Sequence, residues 1–299
     1  MARVLRSPLD ALGCVLLPAS CALCGSPLPQ LSYVPICDCC WIEFPVQSGP
    51  CCSRCGDKLS VPVLETSAAV ATLCRACRLA PPPFVRAVAF GLYQDRMKAA
   101  IHALKYDRLH PAAKGLGRML AQAIAQLAAE APSEMLVVPV PLHRSKHAER
   151  GFNQARALAV HALEALRKSH PGWRLTLASN TLMRLRATES QAGLTPRQRR
   201  LNVRAAFSVS DPSAVESKHI LLIDDILTTG ATARAASQAL VRAGAASVFV
   251  ATLARARLIH EFSRGSFVLA ENANELSTNS PAATVQSASI YSSQDQRSF

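Results

Sequence analysis

Residues 220–232 read Ile-Leu-Leu-Ile-Asp-Asp-Ile-Leu-Thr-Thr-Gly-Ala-Thr, and this stretch leaves few folds open. Four aliphatics in a row have the composition of a strand buried on both faces, as a parallel sheet provides. Two acids follow, expected at that strand's exposed end, and then two more aliphatics and a short Thr/Gly-rich loop. Ala231–Ala243 is helical in composition and stops at Gly244, a good C-cap residue, and Ser247–Leu253 is the next strand. Strand, loop, helix and strand make a βαβ unit. Its loop places backbone N–H groups and Thr hydroxyls at a helix N-terminus, where geometry and dipole favour phosphate. Adjacent carboxylates beside such a cradle suit ribose hydroxyls, directly or through a hydrated magnesium ion. An ordinary buried strand ending in a turn does not account for that combination.

The other end of the chain is organised by cysteine. All eleven cysteines precede residue 78, and eight form C-x-x-C pairs: Cys21/Cys24, Cys37/Cys40, Cys52/Cys55 and Cys74/Cys77. The first and third pairs run directly into glycine, as CALCG and CSRCG, so one grammar is written twice. Tight turns of this kind aim two sulfurs at one centre. The spacing suits two tetrahedral four-cysteine zinc sites, each tying two short hairpins together with no position open for water. Disulfides are the competitor, but regular pairs with no export signal favour metal in a reducing compartment. Met1–Leu17 reads as an amphipathic leader helix rather than a signal, because Gly13 interrupts its apolar run. The spacing leaves open whether ligands cross between the repeats, and Cys39 or Cys51 could stand in for a neighbour.

Charge is placed unevenly. The 299 residues carry a formal net charge of +13, and residues 144–204 hold 13 Lys and Arg against three acids. Such a region attracts phosphate, whether on a metabolite or on a nucleic acid. Hydrophobic residues at 49% exclude global disorder, and no apolar run approaches the ~18–20 residues of a membrane span.

Two further stretches narrow the reading. Met135–Leu142 is a strand, followed by His143-Arg144-Ser145-Lys146-His147 and by Arg150-Gly151-Phe152-Asn153-Gln154 opening a helix. Downstream, Arg184-Leu185-Arg186-Ala187-Thr188 leads to Gln191 and Arg199. Residues 220–232 resemble the phosphoribosyl pyrophosphate (PRPP) signature of type I phosphoribosyltransferases. With the four cysteine pairs ahead, the whole order over roughly 14–257 is similar to the ComF/GntX family, a double zinc ribbon joined to a phosphoribosyltransferase-like domain. The resemblance implies that Asp224 and Asp225 hold the ribose hydroxyls, and that Thr228, Thr229, Gly230, Ala231 and Thr232 wrap the 5′-phosphate. It implies that His143, Arg144, Lys146 and Arg150 grip the pyrophosphate. It places Arg184, Arg186, Gln191 and Arg199 on a flexible loop over the site. Lys105-Tyr106 is a weaker candidate, since a snorkelling Lys and a core-edge Tyr explain it nearly as well.

The expected organisation is a leader helix at 1–20, a double zinc ribbon at 21–80 and a stiff Pro81-Pro82-Pro83 hinge. An α/β domain with a doubly wound parallel sheet would fill 84–257, and a polar tail, expected to be disordered, 271–299. The cofactors would be about two structural zinc ions, and magnesium with PRPP. Two functions fit. One is a cytoplasmic phosphoribosyltransferase moving phosphoribosyl from PRPP to an acceptor. No base stands at Thr228, where purine-salvage members carry a carboxylate. The other is a non-catalytic factor handling single-stranded DNA or DNA-uptake proteins, with PRPP as a regulator. The family's association with DNA uptake and natural transformation supports a link to DNA in either case.

Overall fold

A computed structural model describes residues 19–29, 32–59, 72–106, 109–186, 206–259 and 268–269. All of them fall in one compact unit, Met1–Leu269, distinct from Ala270–Phe299. The expected polar tail and nearly all of the expected leader helix lie outside the described residues.

Five strands form a wholly parallel sheet: β1 (Ala87–Leu92), β2 (Glu134–Pro139), β3 (Arg174–Leu177), β6 (His219–Leu227) and β7 (Ser247–Arg255), in the order β1-β7-β6-β2-β3. The apolar signature sits at the centre of this sheet. Side chains alternate between the faces of β6, so Leu221 and Ile223 join one buried layer, and Ile220 and Leu222 the other. The first layer is closed by α3 (Asp95–Tyr106), α4 (Ala113–Ala125) and α6 (Gln154–Ser169). In α4, Leu116, Leu120 and Ile124 recur at helical spacing and are buried on one stripe. The second layer is closed by α7 (Ala231–Arg242) and by a short antiparallel hairpin of β4 (Leu182–Arg184) and β5 (Phe207–Val209). Helices on both faces of a parallel sheet are the doubly wound α/β arrangement the sequence predicts.

The cysteine-rich segment packs against this sheet. It contributes two short helices, α1 (Asp38–Ile42) and α2 (Arg75–Leu79). Strand β1 pairs only with β7 inside the sheet, so its other edge offers unpaired N–H and C=O groups. Residues 45–54 take them up. Leu92 N–H donates to Pro45 O at 2.8 Å, Gln47 N–H to Phe90 O at 3.1 Å, and Ala87 N–H to Arg54 O at 2.8 Å. Leu28, Ile36 and Phe44 join the first apolar layer, and Trp41 lies directly over Gly115 of α4, where a Cβ would fall on the indole. On either side of the triple proline, Arg234 of α7 donates to Ala80 O at 2.9 Å and Arg54 to Phe84 O at 3.1 Å.

Candidate functional site

The loop between β6 and α7 is three residues long, Thr228–Gly230. Gly230 turns the chain at φ 75°, a left-handed conformation that an L side chain resists, so the helix can begin immediately at Ala231. Thr229 Oγ1 accepts from Ala231 N–H at 3.4 Å, and Gly230 O takes the first helical bond from Arg234 N–H at 2.8 Å. Thr228, Thr229, Gly230, Ala231 and Thr232 thus meet at the N-terminus of a twelve-residue helix. The remaining N–H groups and the helix dipole there suit a phosphate.

The two acids do not share the exposed position expected for them. Both lie inside β6, and alternation sends them to opposite faces. Asp225, 5% exposed, forms an ion pair with Lys105 at the end of α3. Burial works against its charge, but the adjacent ammonium overcomes that and holds the carboxyl below its ordinary range. Asp224 is half-buried and gains less from Lys105. Burial, reinforced by the neighbouring Asp225 charge, pushes its carboxyl well above the ordinary range. One carboxylate is therefore fixed, and the other would give up its proton to solvent if a cation or a pair of hydroxyl donors came to it.

Cations converge on these acids from three elements. Lys105 comes from α3, Arg184 from β4, and Lys146 and Arg150 from α5 (Arg144–Arg150). Burial lowers Lys146, and the charges of Arg150, Arg184 and Lys105 lower it further. Burial also lowers Arg184, opposed by the Asp224 charge, and its guanidinium lies 5.5 Å from the Phe207 ring centroid. Arg150 Nη2 donates to Tyr106 Oη at 2.9 Å, with its guanidinium 4.9 Å from that ring's centroid. Lys146 and Arg184, both lowered, share this corner with Lys105 and Arg150, so an anion brought there would relieve the mutual repulsion of the cations.

The remaining expected residues place themselves as follows. His143 caps α5, Nδ1 accepting from Ser145 N–H at 3.3 Å, and Arg144 and Arg186 are exposed. Asn153 caps α6 and donates to Val140 O at 3.0 Å, which ties the segment just after β2 to that helix. Gln191 and Arg199 lie outside the described residues, between the two strands of the β4–β5 hairpin. Lys105 and Tyr106 prove to be part of the constellation. Their signal was a Lys-Tyr pair ending an amphipathic helix, which sequence periodicity alone assigns equally to a core edge.

The eight paired cysteines form two groups in chain order: Cys21, Cys24, Cys37 and Cys40, then Cys52, Cys55, Cys74 and Cys77. In each group the sulfurs lie within 4.8 Å of one another. Ligands are not exchanged between repeats, and Cys39 and Cys51 stand outside both groups. Sulfur separations of 3.7 Å recur for Cys21–Cys40, Cys24–Cys37 and Cys55–Cys74. A zinc tetrahedron with Zn–S bonds of about 2.3 Å has an edge of about 3.8 Å, so the donor set fits that ion. Packed without a cation, the thiolates would repel. Arg96 of α3 donates to Cys40 Sγ at 2.7 Å and pairs with Glu43, which offsets part of the negative charge of such a centre.

Residues 153–272 match the phosphoribosyl transferase domain model. A DNA utilization protein of Salmonella typhi, YhgH, is 34% identical over 240 residues, covering 80% of this chain and 97% of that protein. Competence protein F of Haemophilus influenzae is 27% identical over 71% of this chain and 87% of its own length. Competence protein ComFC of Bacillus subtilis is 40% identical over 122 residues, 40% of this chain and 44% of that one. The match to 97% of YhgH at 34% identity, with the cysteine clusters and the transferase-like domain together, places this protein in the ComF/GntX family.

Proposed function

We propose that the protein binds magnesium-bound PRPP between the Thr228–Thr232 loop and the Lys105/Lys146/Arg150/Arg184 cluster, in the service of DNA uptake or utilization. The observation that carries this reading is the meeting of a phosphate-type helix N-terminus, a carboxylate pair and four cations at one sheet end. The loop would take the 5′-phosphate. Asp224 would accept from the ribose hydroxyls once it has lost its proton, and Asp225, fixed by Lys105, would hold the strand end and the local charge. Lys146 and Arg150 would meet the pyrophosphate. Magnesium, when bound with PRPP, would neutralise pyrophosphate oxygens, and Asp224 is the carboxylate suited to hold its waters.

In a transfer, the bond from the anomeric carbon to pyrophosphate breaks and a bond to the acceptor forms. The pyrophosphate carries away the electron pair, and the acceptor's proton goes to solvent or to the leaving group. The chain's part is to stabilise that leaving group with Lys146, Arg150 and Arg184. Zinc at the two clusters would be structural, and cysteines kept as free thiols for metal favour a reducing compartment such as the cytoplasm. Calorimetric titration with Mg-PRPP, followed by pyrophosphate release against a panel of bases and nucleic acids, tests the reading. Unmeasurable affinity would end it, and release with a single acceptor would define the reaction.

A second reading is favoured by the names of the relatives: a factor that handles single-stranded DNA or DNA-uptake proteins, for which PRPP is a regulator. In that case Mg-PRPP binds without turnover and alters the affinity for DNA.

A further inference from the structure

We propose that Arg255 couples the second cysteine cluster to the phosphate loop, so that metal at Cys52, Cys55, Cys74 and Cys77 holds that loop in its binding conformation. The inference rests on the phosphoribosyl reading above.

Arg255 ends β7, and only 4% of it is exposed. Its Nη1 donates to Leu227 O at 2.8 Å and to Thr228 O, the last residue of β6 and the first of the loop. Its Nη2 lies 3.6 Å from the Asp57 carboxylate. Asp57 belongs to the turn that carries two of the cysteines: its carbonyl accepts from Cys52 N–H at 2.7 Å, and Gly56 N–H donates to Cys52 O at 2.9 Å. One buried guanidinium therefore spans the metal-type turn and the phosphate loop. Only the fork of an arginine reaches two carbonyls and a carboxylate at once.

The direction of the carbonyls gives the link its meaning. In a trans peptide the C=O and the next N–H point opposite ways. Holding the carbonyls of Leu227 and Thr228 toward Arg255 turns the N–H groups of Thr228 and Thr229 away from it, fixing both peptide planes at the start of the loop. A buried guanidinium in turn needs its counter-charge, and losing it is costly. If the four sulfurs lose the cation that ties them together, they take up protons and the 52–57 turn loses its cross-link to 74–77. Asp57 then leaves its place, and Arg255 no longer has a reason to stay. Arg255 is thus a positioning residue, acting on the ligand through loop carbonyls. Coupling of this kind is reciprocal, so ligand at the loop should retain metal at the second cluster and not the first.

The test uses the full chain loaded with zinc. Amide hydrogen exchange at residues 228–232 is compared between the native protein, Asp57→Asn and Arg255→Lys. Zinc release to a chromogenic chelator is followed with and without Mg-PRPP. Asp57→Asn is expected to keep both zinc ions, to speed exchange in the loop and to bind Mg-PRPP about tenfold more weakly, within the usual range of coupling between two sites. Arg255→Lys, which keeps the charge but loses the fork, should speed the same amides. Mg-PRPP should slow one of two release phases in the native protein and neither in Asp57→Asn. Unchanged exchange in both variants overturns the coupling, as does a Mg-PRPP-bound native protein whose two release phases respond alike. A native, zinc-loaded protein that does not bind Mg-PRPP overturns the phosphoribosyl reading instead, and the exchange comparison then still decides the mechanical link.

Discussion

Lys105 at the end of α3 is ion-paired to Asp225 in the central strand β6, joining a surface helix to the middle of the sheet through two buried charges. Burial disfavours both charges, yet Lys105 is raised above its ordinary range by the Asp225 charge, and Asp225 is lowered by Lys105. The stability Asp225 contributes is present above its unfolded value of 3.8 and is lost as pH falls through its lower folded value. The contribution of Lys105 is present below 10.5 and is lost as pH rises through its higher folded value. Lys105→Met should therefore cost roughly 3–5 kcal/mol at neutral pH, because it strands a buried carboxylate. Adding Asp225→Asn to it should recover part of that loss. Urea denaturation of the two variants at neutral pH checks both signs, and a single variant as stable as the native protein would contradict the pairing.

Asp224 titrates in the opposite sense. Its carboxyl is raised by burial and then by Asp225, so the neutral form stabilises the ligand-free protein below the unfolded value of 3.8. That contribution is lost as pH rises through the higher folded value. Ribose hydroxyls and a magnesium shell both favour the charged form, so binding must take its proton off. Mg-PRPP affinity is expected to climb as pH rises through the folded value, with proton release visible as a dependence of binding enthalpy on buffer. Asp224→Asn should make the free protein more stable at neutral pH, weaken binding and flatten the pH profile.

The first cluster offers a separate test, built on packing. A Cβ at Gly115 would meet the ring of Trp41, which also sits edge-on to Phe44 at 5.5 Å between centroids. Gly115→Ala should push the indole off α4, at a cost of roughly 1–3 kcal/mol for overpacking. A red shift in tryptophan fluorescence should accompany it, with zinc content unchanged. Arg96→Met should do the reverse, leaving fluorescence in place while speeding zinc loss from one of the two sites, because a thiolate centre loses its hydrogen-bonded cation. Zinc content of about two ions per chain, read by emission spectroscopy, checks the starting point for both.

What the sequence made legible was local. The strand, loop and helix at 220–232 and the paired cysteines are contiguous signals, and each appears in the expected place. Alternation along β6 also fixes which acid meets which face, and could have been read, but what waits on those faces could not. Lys105 stands 120 residues from Asp225, and Asp57 stands 198 residues from Arg255; no periodicity encodes such meetings. Nothing around Arg255 in the sequence marks it, because only the sheet order, with β7 between β1 and β6, brings the metal-type turn beside the loop. The ligand sets of the two clusters were undecidable from spacing for the same reason, since sequential and crossed pairings use identical intervals.

The cationic stretch at 144–204 leads to the last prediction. On the proposed reading a pyrophosphate would engage Lys146, Arg150 and Arg184, which would leave most of the thirteen cations of that region for another task. Arg197, Arg199 and Arg200 lie outside the described residues, in the segment that joins β4 to β5. Their proximity in sequence, with no acid between them, suits a phosphate backbone. Each phosphate of a single strand that is neutralised releases counterions and adds about −0.7 to the log–log slope of affinity against salt, so four contacts give a slope near −3. Replacing the three arginines by alanine should reduce affinity for single-stranded DNA of any sequence and flatten the slope by about 2, while Mg-PRPP affinity stays close to native. Fluorescence anisotropy across a salt series reads the slope, and calorimetry reads the small ligand. If the segment instead closes only over the phosphoribosyl site, the same triple variant loses PRPP affinity or turnover and its DNA behaviour is that of the native protein. The two outcomes separate a nucleic-acid surface from a lid by one variant and two titrations.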